Sequence, residues 1–296
     1  MSLVDESQSP LPKLSARPAD SHKGDYGRVL VLGGSRGMAG APALAGIAAL
    51  RSGAGLVTVA SPASIQPTVA AFSPCLMTVP LVEDEDGVMD LANVVDLAGA
   101  GESFDVWAIG PGLGRSEGVA ELVARLYRDV PRPMVVDADG LNALAAALKR
   151  NPQALNKPAA PRVLTPHPGE MARLEVGATS QSVNADRLGT ARRFARERGV
   201  FVVLKGARTV VARPDGLLMV CPTGNPGMAT AGTGDVLTGM LVGLLAQGVP
   251  SWEAACAATY LHGAAGDLAA GRLGFAGMIA GDLIEQIPYA IQTVVG

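Results

Sequence analysis

The sequence has 296 residues, of which 48% are hydrophobic, 17% are charged and only 4% are aromatic. This composition excludes a largely disordered chain and predicts a core built from Ala, Val and Leu. The net charge of −3, without a basic stripe, argues against nucleic acid as a partner. Cys75, Cys221 and Cys256 lie far apart, which predicts neither a disulfide framework nor a zinc site and favours a reducing cytoplasm.

The N-terminal segment has scattered charges and no hydrophobic periodicity. We expect residues 1–20 to form a flexible arm and residues 21–296 to form one domain. No apolar segment near the N-terminus is typical of a signal peptide. The longest uncharged run, residues 52–82, is interrupted by four prolines, so we expect no membrane partner.

From Arg28 onward, apolar strands alternate with helices, and the strands end at loops rich in Gly, Pro and polar residues. The predicted strands are 28–32, 56–60, 105–109, 133–136, 162–164 and 200–204. The predicted helices are 41–52, one capped by Ser116 that ends near 128, one from about 143, then 184–198, 235–247 and 252–270. Segments 209–212 and 217–220 predict an antiparallel hairpin. This pattern predicts a mostly parallel sheet with helices on both faces and the polar loops on one edge.

Two common nucleotide-binding motifs are missing from the sequence. The glycine turn after the first strand contains no Gly-x-Gly-x-x-Gly, and the chain has no Gly-x-x-x-x-Gly-Lys-Ser/Thr. A Rossmann dehydrogenase and a P-loop enzyme are therefore disfavoured.

The loop Gly232-Thr233-Gly234-Asp235 precedes a long apolar helical pattern. Its glycines allow consecutive N–H groups to point into one concavity, and the start of a helix attracts phosphate. Asp235 could then be a catalytic base or simply the cap of the helix, and the loop alone does not decide between them.

Other polar residues also follow predicted strands. A surface lysine is the favoured interpretation of Lys205 taken alone. Prolines stiffen the segment around His167, which is either a structural turn or a presented side chain, while Glu170 could cap a helix or contact magnesium through water. Asp137 and Asp139 could hold a metal or order their loop. His262 lies in a helical pattern and is predicted to be a packed, hydrogen-bonded side chain.

Several motifs together resemble the ADP-dependent NAD(P)H-hydrate dehydratases, a branch of the ribokinase-like superfamily. The motifs that carry the resemblance are His22-Lys23-Gly24-Asp25-Tyr26-Gly27, Gly33-Gly34-Ser35 with Met38-Ala39-Gly40-Ala41, Gly110-Pro111-Gly112-Leu113-Gly114, Thr165-Pro166-His167-Pro168-Gly169-Glu170 and Asn225-Pro226-Gly227-Met228-Ala229 with Gly232-Thr233-Gly234-Asp235. The resemblance extends from about His22 to the last helix. It implies a ribokinase-like three-layer α/β/α sandwich with a mostly parallel sheet and a short hairpin.

The resemblance also implies roles for individual residues. Contacts with the hydrated nicotinamide nucleotide are implied for Ala41, Gly112, His167 and Asp235, with Asp235 as the catalytic base. Binding of the adenine nucleotide is implied for Lys205, Gly206, Ala207, Arg208, Thr209 and Gly234. The anion hole would consist of Gly232, Thr233 and Gly234.

The implied reaction is a repair reaction, in which a hydro-lyase uses ADP to convert the S form of NADHX or NADPHX into NADH or NADPH, giving AMP and phosphate. Magnesium is the implied cofactor, a homotetramer the implied assembly, and a separate NAD(P)HX epimerase the expected partner in the pathway. Two alternatives stay open: a ribokinase-like kinase of a vitamin-type alcohol, and a nucleotide-binding regulatory protein without turnover.

Overall fold

The computed structural model describes residues 16–156 and 158–294. Within them, nine strands form one sheet in the order β3-β2-β1-β4-β5-β6-β7-β8-β9. The strands are β1 Arg28–Leu32, β2 Leu56–Pro62, β3 Met77–Leu81, β4 Val106–Ile109, β5 Met134–Val136, β6 Arg162–Leu164, β7 Phe201–Leu204, β8 Val210–Ala212 and β9 Leu218–Val220. Strands β1 to β7 are parallel, and β8 and β9 continue the sheet as the predicted antiparallel hairpin.

Helices cover both faces of this sheet. They are α1 Gly40–Arg51, α2 Gln66–Ala71, α3 Asn93–Gly99, α4 Glu117–Asp129, α5 Ala138–Arg150, α6 Pro168–Leu174, α7 Ser180–Ala185, α8 Arg187–Arg198, α9 Thr233–Ala246, α10 Ser251–Leu273 and α11 Ala280–Gln292. Alternate residues of β1 enter different cores, since Val29 and Val31 pack in the core with α1 and α9, whereas Leu30 and Leu32 pack in the core with α4 and α5. The predicted three-layer architecture is confirmed.

Two predicted helix boundaries are wrong. Helix α5 begins at Ala138, directly after β5, and not near residue 143. The missing side chain of Gly140 makes this possible, because a Cβ there would lie 2.8 Å from the Ile109 carbonyl oxygen. The helix predicted over 184–198 is broken at Asp186, whose carboxylate accepts a hydrogen bond from the Gly189 N–H and caps α8.

The N-terminal region of the domain packs at the edge of the sheet where the strands begin. The N–H groups of Gly55 and Leu56 donate to the carbonyls of Tyr26 and Gly27, so the motif that starts at His22 lies away from the strand ends. Of the predicted arm, residues 1–15 lie outside the described part of the chain. Arg17 stacks on the Tyr26 ring at 3.7 Å and donates to the Gly53 carbonyl. No helix among residues 16–156 and 158–294 is long and apolar enough to cross a membrane.

Candidate active site

The loops that follow the parallel strands meet at the carboxyl-terminal edge of the sheet, as the strand pattern predicts. Helix α9 starts at the same edge and packs in the core that contains Val29 and Val31. The sequence-predicted residues after β1, β4, β5, β6 and β7 therefore lie along one edge, together with the first turn of α9.

The glycine loop before α9 has a conformation suited to an anion. Gly232 is left-handed, with φ 91°, and the hydroxyl of Thr233 donates to the carbonyls of Met228 and Thr230. In the described residues, the N–H groups of Thr233, Gly234 and Asp235 have no hydrogen-bond partner, as expected for the first turn of a helix. Three donors and the positive end of the helix dipole thus lie together.

Asp235 does not cap α9, so this interpretation is wrong. The N-cap position belongs to Gly232, and Asp235 is the third residue of the helix. Within the described chain its carboxylate accepts no hydrogen bond. Burial, reinforced by the negative charge of Asp137, raises the pKa of Asp235 to about 7, and Lys205 opposes this rise. A carboxyl group with such a pKa can accept a proton near neutral pH.

Lys205 is not a free surface lysine, and the interpretation favoured from the sequence alone is wrong. Its Nζ atom lies 2.5 Å from Oδ1 of Asp137 and 3.8 Å from Oε2 of Glu170. Burial by itself lowers the pKa of Lys205, but Asp137, Glu170 and Asp235 more than offset this and the pKa is raised. A Cβ on Gly234 would lie 3.4 Å from Nζ, which places the ammonium group beside residues 232–235, called the anion loop below.

His167 and Glu170 form the start of α6. The ring Nδ1 of His167 accepts hydrogen bonds from the N–H groups of Gly169 and Glu170, while the carboxylate of Glu170 accepts one from the His167 N–H. Of the two interpretations of Glu170, helix capping is therefore observed. Burial, with a contribution from Lys205, lowers the pKa of His167 and keeps the ring neutral at pH 7. Burial raises the pKa of Glu170, although Lys205 opposes it.

Ala41 and Gly112 lie against each other at the start of α1. Gly112 has φ 62°, and a Cβ there would lie 3.1 Å from the Ala41 Cβ and 2.9 Å from the Met38 carbonyl oxygen. Leu44, one turn after Ala41, would contact a Cβ on Gly232. Through Leu44, the start of α1 therefore lies close to Gly232.

Asp139 orders the neighbouring loop, which is one of the two roles that the sequence leaves open for it. Its carboxylate accepts hydrogen bonds from the Gly114 N–H, from Nε of Arg115 and from Nδ2 of Asn142. In the part of the chain that the structure describes, no three His, Cys, Asp or Glu side chains form a group that could hold a metal ion.

The segment 205–209 lies between β7 and β8 and is held by a residue that sequence analysis missed. Nη1 of Arg187 donates to the Ala207 carbonyl at 2.5 Å and Nη2 donates to the Leu204 carbonyl at 2.9 Å. Gly206 and Arg208 have positive φ, 140° and 54°, and the hydroxyl of Thr209 donates to the Gly206 carbonyl. Arg187 follows the α8 cap in sequence, so no local pattern connects it with this loop.

His262 is confirmed as a packed, hydrogen-bonded side chain. Its Nε2 lies 2.8 Å from the carbonyl oxygen of Thr233, and because a carbonyl can only accept, the ring carries its proton on Nε2. Burial lowers the pKa of His262 to about 4. The neutral ring thus holds the backbone of Thr233, the first residue of α9, through this hydrogen bond.

Comparison with known proteins connects this geometry with one family. The family model described as NAD(P)H-hydrate dehydratase matches residues 29–289. The ADP-dependent (S)-NAD(P)H-hydrate dehydratase of Neisseria meningitidis is 41% identical over 271 residues, with 90% of this chain and 86% of that protein covered. The bifunctional NAD(P)H-hydrate repair enzyme Nnr of Moorella thermoacetica is 49% identical over 282 residues, with 95% of this chain and 52% of that protein covered.

This chain spans about half the length of the bifunctional relatives it matches. Among solved structures, the ADP/ATP-dependent NAD(P)H-hydrate dehydratase of Bacillus subtilis, co-crystallised with ATP and Mg²⁺, is similar with a TM-score of 0.80 and 32% identity. The likeness covers 97% of this chain and all of that one, and it confirms the ribokinase-like fold implied by the resemblance. With a family model that covers most of its length, the chain belongs to the NAD(P)H-hydrate dehydratase family.

Proposed function

We propose that this protein is an ADP-dependent hydro-lyase that converts the S form of NADHX or NADPHX into NADH or NADPH, with AMP and phosphate as the other products. The family membership supports the substrate class. The single observation that carries the chemistry is the position of Asp235, whose carboxyl group, with a pKa of about 7, lies in the first turn of α9 among unpaired N–H groups.

In the proposed mechanism, the C6 hydroxyl of the hydrated ring gives its proton to Asp235 as it attacks the terminal phosphorus of ADP. The bond from that phosphorus to the bridging oxygen breaks and AMP leaves. The C6–O bond then breaks, phosphate departs, and loss of a proton from C5 restores the ring double bond. Phosphate is a far better leaving group than hydroxide, which explains the need for ADP.

The anion loop supports this step through N–H groups directed at the transferring phosphoryl group. Preorganised donors of this kind contribute about 3 kcal/mol each to transition-state stabilisation. Gly232 gives the loop its left-handed turn, Thr233 and Gly234 offer N–H groups, and Lys205 lies beside Gly234. We assign the adenine nucleotide to Lys205, Gly206, Ala207, Arg208, Thr209 and Gly234, and the hydrated nucleotide to Ala41, Gly112, His167 and Asp235.

Magnesium fits this site as an ion carried by the nucleotide. The described residues offer no cage of three ligands, and Asp137 is already occupied by Lys205 and Thr238. Glu170, which lies beside Lys205, would hold the ion through water. When bound, magnesium would offset the negative charge of the nucleotide phosphates.

The decisive experiment is to add ADP to the protein with hydrated NADH and to follow the absorbance of the reduced ring. Return of this absorbance, with AMP and phosphate formed, is the expected result. A vitamin-type kinase would leave a phosphorylated product without the absorbance change, and a regulatory protein would bind ADP without turnover; either result would exclude the dehydratase.

Asp235→Asn tests the role of the base. We expect this variant to bind ADP normally and to lose turnover by roughly 10²- to 10⁴-fold, the contribution typical of a general base. Near-parental turnover would remove Asp235 from the mechanism.

We further propose that the protein works in the cytoplasm as a homotetramer and that a separate epimerase supplies the S form. The described cysteines are free thiols, which fits a reducing compartment. Supplying the pure R form of NADHX tests the need for a separate epimerase, because no NADH should appear until an epimerase is added. Sedimentation at micromolar concentration tests the assembly.

A further inference from the structure

Two arginines at the rim of the candidate site are joined by a chain of hydrogen bonds that links one loop and two helices. Nε of Arg115 donates to Asp139 at 3.0 Å, Nδ2 of Asn142 donates to the same carboxylate oxygen at 3.1 Å, and Nε of Arg173 donates to Oδ1 of Asn142 at 2.8 Å. The loop after β4, the start of α5 and helix α6 are thereby linked. We call this set of four residues the rim chain.

The rim chain uses only one nitrogen of each guanidinium group. Throughout residues 16–156 and 158–294, neither Arg115 nor Arg173 has a hydrogen-bond partner for its Nη atoms. Both side chains are exposed, Arg115 by 69%. A guanidinium held by Nε alone keeps two parallel donors free and has lost part of its rotamer freedom, which suits it to bind phosphate oxygens.

The position of the rim chain relative to the reacting group is also defined. Arg115 follows Gly112 by three residues, and Arg173 lies on the short helix α6 that His167 caps. Asp139 is close enough to Asp235 to contribute to the raised pKa of that carboxyl group, and Arg173 is close enough to His167 to contribute to the lowered pKa of its ring. The rim chain therefore lies next to the residues assigned to the hydrated nicotinamide ring.

The charges at this edge favour a pair of cations as the binding site for an anionic dinucleotide. Four carboxylates are gathered here, namely Asp137, Asp139, Glu170 and Asp235. Lys205 is engaged by Asp137 and assigned to the adenine nucleotide. A dinucleotide that places its ring at Asp235 brings its pyrophosphate one ribose away, where these carboxylates would repel it unless cations offset their charge.

We propose that Arg115 and Arg173 bind the pyrophosphate of the hydrated dinucleotide substrate, with Asp139 and Asn142 positioning the two guanidinium groups. This inference rests on the proposed function and adds a substrate subsite to it. The subsite recognises a feature common to NADHX and NADPHX, so it selects dinucleotides without distinguishing between the two.

The test compares Arg115→Ala and Arg173→Ala with Arg125→Ala, a control on α4 in which Nε of an exposed arginine also donates to a carboxylate, that of Glu121. Each variant is assayed with NADHX, NADPHX and hydrated dihydronicotinamide riboside, which has no phosphate. We expect each rim variant to raise KM for both dinucleotides about 10-fold, with the KM for ADP and the turnover of the riboside within twofold of parental values. The control should change none of them.

Three outcomes overturn the inference. Unchanged KM values for the dinucleotides would remove the subsite, and a loss confined to NADPHX would assign the arginines to the 2′-phosphate instead. An equal loss for the riboside or for ADP would make the effect structural.

A binding measurement separates this inference from the proposed function. Titration with NADH, followed by its fluorescence, should give a Kd about 10-fold higher for each rim variant than for the parent protein, and the difference should shrink at high salt. If the parent binds NADH and the variants bind it weakly while no form turns over NADHX, the proposed function fails and the subsite stands. Equal binding by parent and rim variants, or no binding by the parent, overturns the subsite.

Discussion

Asp137 and Thr238 connect Lys205 to helix α9, which carries Asp235. The hydroxyl of Thr238 donates to Oδ2 of Asp137 at 2.8 Å, while Oδ1 of the same carboxylate accepts from Lys205. Thr238 lies one turn after Asp235 on α9. Because the Asp137 carboxylate is 1% exposed, this contact fixes the ammonium group relative to the first turn of α9.

Asp137→Asn should weaken both stability and catalysis. It removes the negative charge 2.5 Å from the Lys205 ammonium group and leaves only the more distant Glu170 carboxylate, at 3.8 Å, beside it. Loss of one partner of a buried ion pair typically costs about 3 kcal/mol in the free energy of unfolding. The substitution also removes a negative charge that raises the pKa of Asp235, so the acidic limb of the pH profile of kcat/KM should move to lower pH. Urea unfolding and a pH profile measure the two effects.

Asp129→Asn is a matched control for this substitution, since Asp129 pairs with Arg128 on the exposed end of α4. It should change stability by less than about 1 kcal/mol and leave the pH profile in place. A parental pH profile for Asp137→Asn would show that the negative charge of Asp137 does not raise the pKa of Asp235.

The raised pKa of Asp235 predicts opposite effects of pH on activity and on stability. Activity should rise with pH through a midpoint near 7, because the base must be deprotonated. Its pKa in the unfolded chain is near 3.8, so between about pH 4 and 7 the folded state binds more protons than the unfolded state. The contribution of this group to the free energy of unfolding therefore falls as pH rises over that interval.

Asp235→Asn removes this titration, so the variant should gain stability relative to the parent as pH rises from 4 to 8. The gain is at most about 4 kcal/mol, since one pKa unit corresponds to about 1.4 kcal/mol. Denaturant unfolding of both proteins at pH 5 and pH 8 measures it. A stability difference that does not change between these pH values would mean that Asp235 titrates normally.

Arg187→Ala should weaken ADP binding selectively. The guanidinium group holds the carbonyls of Leu204 and Ala207, and the loop between them carries Lys205. Loss of two charge-assisted hydrogen bonds leaves this loop less ordered, and we expect the KM for ADP to rise about 10-fold with kcat within threefold of the parental value. Steady-state kinetics with ADP as the varied substrate measures the change.

Arg192→Ala provides the control, because Arg192 lies on the same helix and donates to the Gly216 carbonyl in the β8–β9 turn. Its KM for ADP should be parental. An equal KM for ADP in both variants would show that Arg187 does not order the segment 205–209 for ADP binding.

The strands and the edge that carries the site could be predicted from the sequence because their signals are local. Parallel strands are buried on both faces and appear as apolar runs between glycine-rich loops, so the sequence pattern predicts β1 at its observed bounds. The surface interpretation of Lys205 failed for the opposite reason. Its partner Asp137 lies 68 residues away, and only the folded sheet brings β5 and β7 close enough for an ion pair.

The burial of Arg162 could not be predicted from sequence patterns either. Arg162 is fully buried at the start of β6, where its guanidinium group donates to the carbonyl of Tyr127 in the last turn of α4 and to those of Val130 and Arg132 in the loop that follows. Burial lowers its pKa to about 10. An arginine at the start of a strand usually indicates a solvated end, and nothing nearby in sequence announces three distant carbonyl acceptors.

Gly112→Ala should impair binding of the hydrated nucleotide and leave ADP binding intact. The residue has φ 62°, and its Cβ would lie 2.9 Å from the Met38 carbonyl oxygen, so both strain and steric contact displace the loop against Ala41. We expect the KM for NADHX to rise at least about 10-fold and the KM for ADP to stay within twofold. Gly177→Ala has the same kind of strain, with φ 81°, but a Cβ there meets no atom of the described residues within 4 Å. That control should lose about 1 kcal/mol of stability and keep the parental KM for NADHX.

The contradicting outcome is an equal loss of stability in the two variants with the parental KM for NADHX in both. The close approach of Gly112 to Met38 and Ala41 would then not shape the substrate site.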